Sequence, residues 1–327
     1  MAFIRRAGYK IRGRGASSHF PLFIRGFFWY TLPDYFIKKG GQAMNLCDRE
    51  TLRALLGRHD FHFSKSMGQN FLIDPAVPAA ISAASQAAAD CGVLEIGPGV
   101  GCLTAELAGR AGKVVSIELD QKLLPVLAET MAPYGNAEII PGDALKLDLR
   151  ALATEKFQGL RPLVCANLPY NITTPVLTKL VETPCFESIT VLLQKEVAQR
   201  LAAPQGSSDG GAFTLWLQYY METEVLFGVP AAKFFPAPKV DSAVLRCVRR
   251  EKPPVETEDE AFFFRCIRGA FLLRRKTLVN SLSAALPEKG REAVQAAVEN
   301  CGLSPSVRGE ALTLEDFARL SAALQRL

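Results

Sequence analysis

The sequence predicts an α/β fold: a mostly parallel, doubly wound sheet with an antiparallel edge pair, followed by a small all-helical region. Three observations carry this. From Val77 to Arg250 short apolar runs alternate with amphipathic stretches, the pattern of strands linked by crossover helices. A glycine-rich turn follows the first run, and after the acidic, proline-containing stretch Glu251–Glu260 the periodicity becomes purely helical. The predicted strands are Gly92–Ile96, Lys113–Glu118, Ala137–Pro141, Leu163–Ala166, Ser188–Gln194, Tyr219–Gly228 and Asp241–Val248. Helices are expected at Leu103–Ala111, Lys122–Met131, Thr174–Glu182 and Lys195–Ala202. The last two strands have no helix between them, hence the antiparallel edge pair. Beyond the linker, Ala261–Leu286 reads as one long helix, Glu288–Cys301 as a second ended by Gly302, and Glu315–Leu324 as a third capped by Thr313. The expected division is 1–43, 44–250 and 251–327.

With 327 residues, 49% of them hydrophobic, the chain can bury a substantial core, which excludes disordered and fibrous classes. The formal charge of +5 is not spread evenly. Residues 1–43 hold eight basic side chains and one acid, and the remainder is slightly acidic. The basic segment fits an organellar transit peptide, an RNA-binding arm, or a stretch that is not translated. The preferred reading is a start at Met44, since Lys39-Gly40-Gly41 can be encoded by a purine-rich run of the kind that precedes bacterial start codons. No apolar run reaches the roughly 18 residues of a spanning helix. The eight cysteines include no Cys-x-x-Cys pair and the three histidines all lie early, so neither a metal site nor a disulfide framework is expected and a cytoplasmic location is.

The stretch Gly97-Pro-Gly99-Val-Gly101 follows the first strand and precedes a helix. Glycines there allow left-handed backbone and close approach of a ligand. By themselves they also fit a turn that binds nothing. Glu118 lies 21 residues beyond Gly97, at the end of the next strand, where an acid would accept both ribose hydroxyls. Cys102 stands where a dinucleotide fingerprint needs glycine, which disfavours a nicotinamide dehydrogenase. Glu95 beside the turn would repel a pyrophosphate but attract a ligand bearing an ammonium and a sulfonium. S-adenosylmethionine has both cations, a ribose and no phosphate. Asp143, alone an ordinary turn aspartate, completes an adenosine site in series with Gly97 and Glu118.

The fourth strand ends in Asn167-Leu168-Pro169-Tyr170. For methyl transfer to an exocyclic amine, the Asn167 amide oxygen and the Leu168 carbonyl can each accept one N–H, turning the nitrogen lone pair toward the methyl donor. Pro169 stiffens that carbonyl, and Tyr170 offers a face for a base taken out of its stack. No strong base is required, because the work is positioning.

These residues resemble the small-subunit (16S) ribosomal RNA adenine N6,N6-dimethyltransferase family, whose fold is the class I S-adenosylmethionine-dependent methyltransferase fold. The resemblance runs from Phe63 to about Leu320. It rests on Lys65-Ser-Met-Gly-Gln-Asn-Phe-Leu-Ile-Asp74, the glycine turn, Asn167–Pro175, Leu193–Val197, Phe234–Ala243 and Arg274–Thr277. It implies that Asn70 and Leu72 close over the cofactor, with Gly97, Glu118, Asp143 and Asn167 completing its site. It also implies that Phe234 stacks on the target adenine opposite Tyr170 while Phe235 belongs to the core. The helical region then docks RNA through Arg265, Arg268, Arg274, Arg275 and Lys276, a run free of acids in sequence. The implied substrate is two adjacent adenosines in a hairpin loop near the 3′ end of small-subunit rRNA, met on the 30S particle by a monomeric enzyme. A macrolide-resistance methylase of large-subunit RNA, and a catalytically weak nucleic-acid-binding relative, are the alternatives. Gly210 stands where relatives often carry an aromatic.

Overall fold

A computed structural model describes residues 37–39, 42–63 and 68–327. The basic segment, and with it the readings of its role, lies almost wholly outside these residues, as do Lys65, Ser66 and Met67. Helix α1 (Arg49–Arg58) begins at Asp48, whose carboxylate accepts the Thr51 N–H at 2.8 Å, and it buries Leu52, Leu55 and Leu56. Strand β1 (Phe71–Leu72) and helix α2 (Ala76–Ala84) lead into the main sheet.

The sheet is laid down by β2 (Cys91–Ile96), α3 (Cys102–Ala108), β3 (Lys113–Glu118), α4 (Leu124–Met131), β4 (Ala137–Pro141), α5 (Leu149–Phe157), β5 (Arg161–Asn167), α6 (Thr173–Val181) and β6 (Ser188–Gln194). Then come α7 (Lys195–Leu201), α8 (Ala212–Tyr220), β7 (Met221–Val229), the short β8 (Phe234–Phe235) and β9 (Ser242–Arg249). The strand order is β4-β3-β2-β5-β6-β9-β7. The first five are parallel, and β9 runs antiparallel to both β6 and β7. Because β2 is flanked by β3 and β5, the winding direction reverses there, and a crevice opens beyond the carboxyl ends of these strands.

Every residue of β2 is buried, as a strand covered on both faces must be. Leu94 and Ile96 face Val115, Val164, Phe157 and Leu177 on one side. Cys91 and Val93 face Ile81, Leu103 and Leu107 on the other. Alternation of side chains along the strand thus produces two cores from one sequence run.

Four helices follow, α9 (Glu260–Ala270), α10 (Leu278–Ala285), α11 (Arg291–Asn300) and α12 (Leu314–Gln325). Their core of Phe263, Ile267, Leu282, Val298, Phe317 and Leu320 also takes Leu215 and Tyr219 from α8. Thr313 caps α12 as expected, in a reciprocal capping box with Asp316. The single helix expected over Ala261–Leu286 is instead broken between α9 and α10. The Ser281 hydroxyl donates to the Gly269 carbonyl at 2.7 Å and accepts the Leu273 N–H at 2.9 Å, and Thr277 caps α10 through the Asn280 N–H. Local caps outweigh a continuous periodicity here. The strand expected from Tyr219 begins at Met221, because Tyr219 and Tyr220 complete α8.

Gly92 sits where an added Cβ would lie 2.3 Å from the Phe157 ring. Gly92→Ala is therefore expected to destabilise the fold by about 1–3 kcal/mol through overpacking, measured as a fall in denaturant midpoint at unchanged slope.

Candidate active site

The turn after β2 takes left-handed backbone at Gly97 (φ +73°), Gly99 (+62°) and Gly101 (+94°), a region that residues with a Cβ avoid. A Cβ on Gly99 would stand 3.0 Å from the Phe71 ring, so the turn packs directly beneath β1. The Gly97 N–H donates to the Ile117 carbonyl at 3.0 Å, and the Gly142 N–H to the Glu118 carbonyl at 2.8 Å. Backbone bonds thereby hold the three strand ends level.

A cavity of about 230 Å³ opens there, and Asn70, Leu72, Gly97, Glu118, Asp143, Asn167, Leu168 and Tyr170 all line it. Residues separated by a hundred positions converge as expected. Four carboxylates, Glu95, Glu118, Asp120 and Asp143, line the cavity, and among the described residues no Lys, Arg or His does. Such a lining repels phosphate and favours a cation.

Glu95 is 1% exposed. One of its oxygens accepts both the Thr104 and the Ser116 hydroxyls, each at 2.6 Å. Burial pushes its carboxyl up to about 7, against the pull of those two bonds. Glu118 is likewise raised to about 7 by burial, although it accepts the Asp120 N–H at 2.8 Å. The full negative charge expected of Glu95 from sequence is thus reduced at neutral pH, because the site is drier than a strand end need be. Asp120, absent from the sequence-predicted set, accepts a hydrogen bond from Gln69 at 2.8 Å and so ties the segment before β1 to the end of β3. Its only sequence signal is its place two residues after Glu118.

The segment over the cavity is clasped by β1 pairing with β8, by the Ile73 N–H on the Lys233 carbonyl at 2.9 Å, and by a Lys233–Asp74 ion pair. The Asn167 amide nitrogen donates to the Asn70 carbonyl at 3.2 Å, which leaves the amide oxygen as its acceptor. Leu168 is held by its N–H on the Leu192 carbonyl at 3.1 Å. The Tyr170 hydroxyl shares a 2.6 Å hydrogen bond with Ser242, and burial raises its pKa above the ordinary phenol value. Asp143 accepts the Leu145 N–H with one oxygen at 2.9 Å and keeps the other, 3.8 Å from Lys146.

Phe234 departs from expectation. It is 2% exposed and packs among Leu72, Leu103 and Val244, outside the cavity lining, while Phe235 is the partly exposed ring. Consecutive residues of a strand point to opposite faces, and here the first of the pair points inward. Phe234 thus supports the Leu72 side of the cavity from behind. The basic cluster also needs correction. Arg265 pairs with Glu288 at 2.8 Å, an acid brought near by the turn after α10. Arg274 donates to the Ser208 carbonyl at 3.4 Å. Arg268, Arg275 and Lys276 are exposed and make no ion pair among the described residues.

An acid whose folded value is raised costs stability only where it ionises. That cost is absent below pH 4.5, grows through neutrality and is complete above pH 7. Glu95→Gln keeps an oxygen for Thr104 and Ser116. It is expected to leave stability unchanged at pH 4 and to raise it at pH 8 by no more than about 3 kcal/mol, as read by thermal unfolding of ligand-free protein.

The family model for ribosomal RNA adenine dimethylases matches residues 60–325. The ribosomal RNA small subunit methyltransferase A of Geobacillus sp. (strain WCH70) is 46% identical over 279 residues, 84% of this chain and 96% of that protein. Its counterpart in Bacillus cereus (strain AH187) is 46% identical over 274 residues, 83% and 94% of the two chains. A solved dimethyladenosine transferase from Plasmodium falciparum is similar at a TM-score of 0.65 and 26% identity, over 76% of this chain and 95% of that one. The 23S rRNA methyltransferase ErmE is similar at 0.61 and 29%, over 78% and 100%. The matched region contains the glycine turn, the carboxylate-lined cavity and the Asn167–Tyr170 segment, and the chain belongs to the ribosomal RNA adenine dimethylase family.

Proposed function

We propose that this chain transfers methyl groups from S-adenosylmethionine to N6 of two adjacent adenosines in a hairpin loop near the 3′ end of small-subunit rRNA, giving N6,N6-dimethyladenosines during ribosome biogenesis. The observation that carries the reading is the cation-free cavity with four carboxylates, which ends at Asn167–Tyr170. Supporting the small-subunit substrate is the identity of 46% to small-subunit relatives across 84% of the chain, against 29% to the 23S enzyme.

Bound in the cavity, S-adenosylmethionine supplies an electrophilic methyl group. The residues do the rest. Glu118 would accept hydrogen bonds from the ribose, the Asp143 oxygen not bonded to Leu145 would accept one from the adenine amine, and Asn70 and Leu72 would cover the site. The Asn167 amide oxygen and the Leu168 carbonyl each take one hydrogen of the substrate N6, so its lone pair is freed from conjugation and aimed. The Asn70 carbonyl fixes which way the amide faces, so cofactor cover and substrate alignment are coupled. Tyr170, anchored by Ser242, presents a ring for the extruded base. The amine would react as a neutral group: as the N6–methyl bond forms the methyl–sulfur bond breaks, the sulfonium leaves as a neutral thioether, and the surplus proton on N6 passes to water.

We assign the residues from 251 onward to RNA docking through Arg268, Arg274, Arg275 and Lys276, with Arg265 available when Glu288 releases it. Among the described residues no helix is long and apolar enough to cross a membrane, and a ribosomal substrate fits a monomeric enzyme of the cytoplasm.

Incubation with labelled cofactor and undermethylated 30S particles is expected to place label on two adjacent adenosines of small-subunit RNA. Label confined to large-subunit RNA, or none despite cofactor binding, would overturn the proposal. Asn167→Ala is expected to lower turnover at saturating cofactor and particle by about 100-fold or more, the scale for loss of one preorganised hydrogen-bonding group. Because Glu95 and Glu118 titrate near 7 and a cation favours their ionised forms, cofactor affinity should weaken as pH falls below 7. The limit is about tenfold per pH unit for each proton taken up, and a flat profile from pH 5.5 to 8 would contradict this.

A further inference from the structure

A second feature sits beside the cavity. Phe71, which belongs to the cavity's cover and lines the cavity, has the Phe63 ring 5.6 Å away and is paired with Phe235 across the β1–β8 bridge. Phe63 and Phe235 meet edge to face at 5.4 Å, and Phe63 remains 38% exposed. Over the Phe235 ring lie the guanidiniums of Arg49 and Arg53, 4.7 Å and 4.9 Å from its centre.

Arg49 and Arg53 are one helical turn apart on α1, and like charges at that spacing repel. Among the described residues no carboxylate lies within ion-pair distance of either, whereas Arg58 on the same helix is paired with Glu129 at 2.8 Å. Two cations converge on one ring with no anion between them among the described residues. Contact with the ring face orders both side chains without neutralising them.

We propose that this patch is a second nucleotide site at the rim of the cavity: a phosphodiester beside the target adenosine sits between Arg49 and Arg53, and the adjoining base lies on Phe63. The inference rests on the RNA reading above. Guanidiniums match phosphate oxygens with paired hydrogen bonds, and an exposed ring accepts any base by stacking. Single-stranded RNA offers both at adjacent positions, whereas a membrane surface needs a broad apolar face and this patch has one exposed ring. Neither the arginines nor Phe63 touches the reacting atoms, so their role is positioning.

The test uses the full chain and undermethylated 30S particles. The double variant Arg49→Gln, Arg53→Gln should raise KM for the particle and make the dependence of log affinity on log salt shallower by about 1.4, the value for two lost single-strand phosphate contacts. Turnover at saturating particle and S-adenosylmethionine affinity should stay as they were. Phe63→Ala should weaken particle binding by about fivefold to a hundredfold, and Phe63→Tyr should restore it. Unchanged KM and salt slope in the double variant, with the unaltered protein active, would overturn the rim site alone. A matching loss of cofactor affinity would do the same, since the patch would then merely shape the cavity. Failure of the unaltered protein to bind the particle would overturn the RNA reading, and this inference with it.

Discussion

The two short hydrogen bonds on the Glu95 carboxylate organise the molecule's working end. Thr104 comes from the helix after the glycine turn and Ser116 from the neighbouring strand, and both hydroxyls reach the same oxygen at 2.6 Å. The last turn of sheet geometry, the entry of α3 and the floor of the cavity are therefore fixed by one buried acid. Two donors offset part of the cost of burying it and the remainder shows as a carboxyl raised to about 7. A cation entering the cavity recovers that cost. The cost of that burial is lowest beside a cation, so a charge preference is built into the scaffold.

The cover over the cavity is made of little structure. Two-residue strands β1 and β8, the Lys233–Asp74 pair and the Gln69–Asp120 bond hold it. Its backbone nevertheless reaches the chemistry, since the Asn70 carbonyl orients the Asn167 amide. On the proposed reading, cofactor binding and substrate alignment share a single element. Short pairings with few buried contacts open at low cost, which suits a segment that must admit one ligand and then align another.

The features proposed to hold RNA lie at some remove in sequence from the cavity lining. The basic residues of α9 and of the turn between α9 and α10 supply positive charge, in part already paired within the chain, as Arg265 is with Glu288. The patch formed by the α1 arginines with Phe63 and Phe235 lies next to the cavity rim. Contacts of the first kind position an RNA without reading it, and the cavity reads the base.

The strand ladder was legible in the sequence because apolar runs buried on both faces have no other stable arrangement. All seven main strands lie where alternation placed them, most of them within two residues at either end. The cavity residues were legible too, since Gly97, Glu118, Asp143 and Asn167 each close a parallel strand, and parallel strand ends must share one edge. Helices α1, α2, α5 and α8 were not foreseen, because they are only nine or ten residues long or merge with a neighbouring strand, although Asp48 and Asp148 offered N-caps for α1 and α5. The break between α9 and α10 depends on Ser281 meeting Gly269, twelve residues away. By itself the sequence determined the order of elements, the site's glycine and carboxylate pattern and its chemical class, all consequences of local periodicity and spacing. Only the tertiary structure decided that Phe234 faces the core and Phe235 the surface, that Glu288 reaches Arg265, and that Glu95 is dry enough to titrate near 7. Each of these depends on which side chains from distant segments come within a few ångströms, and no spacing along the chain encodes that.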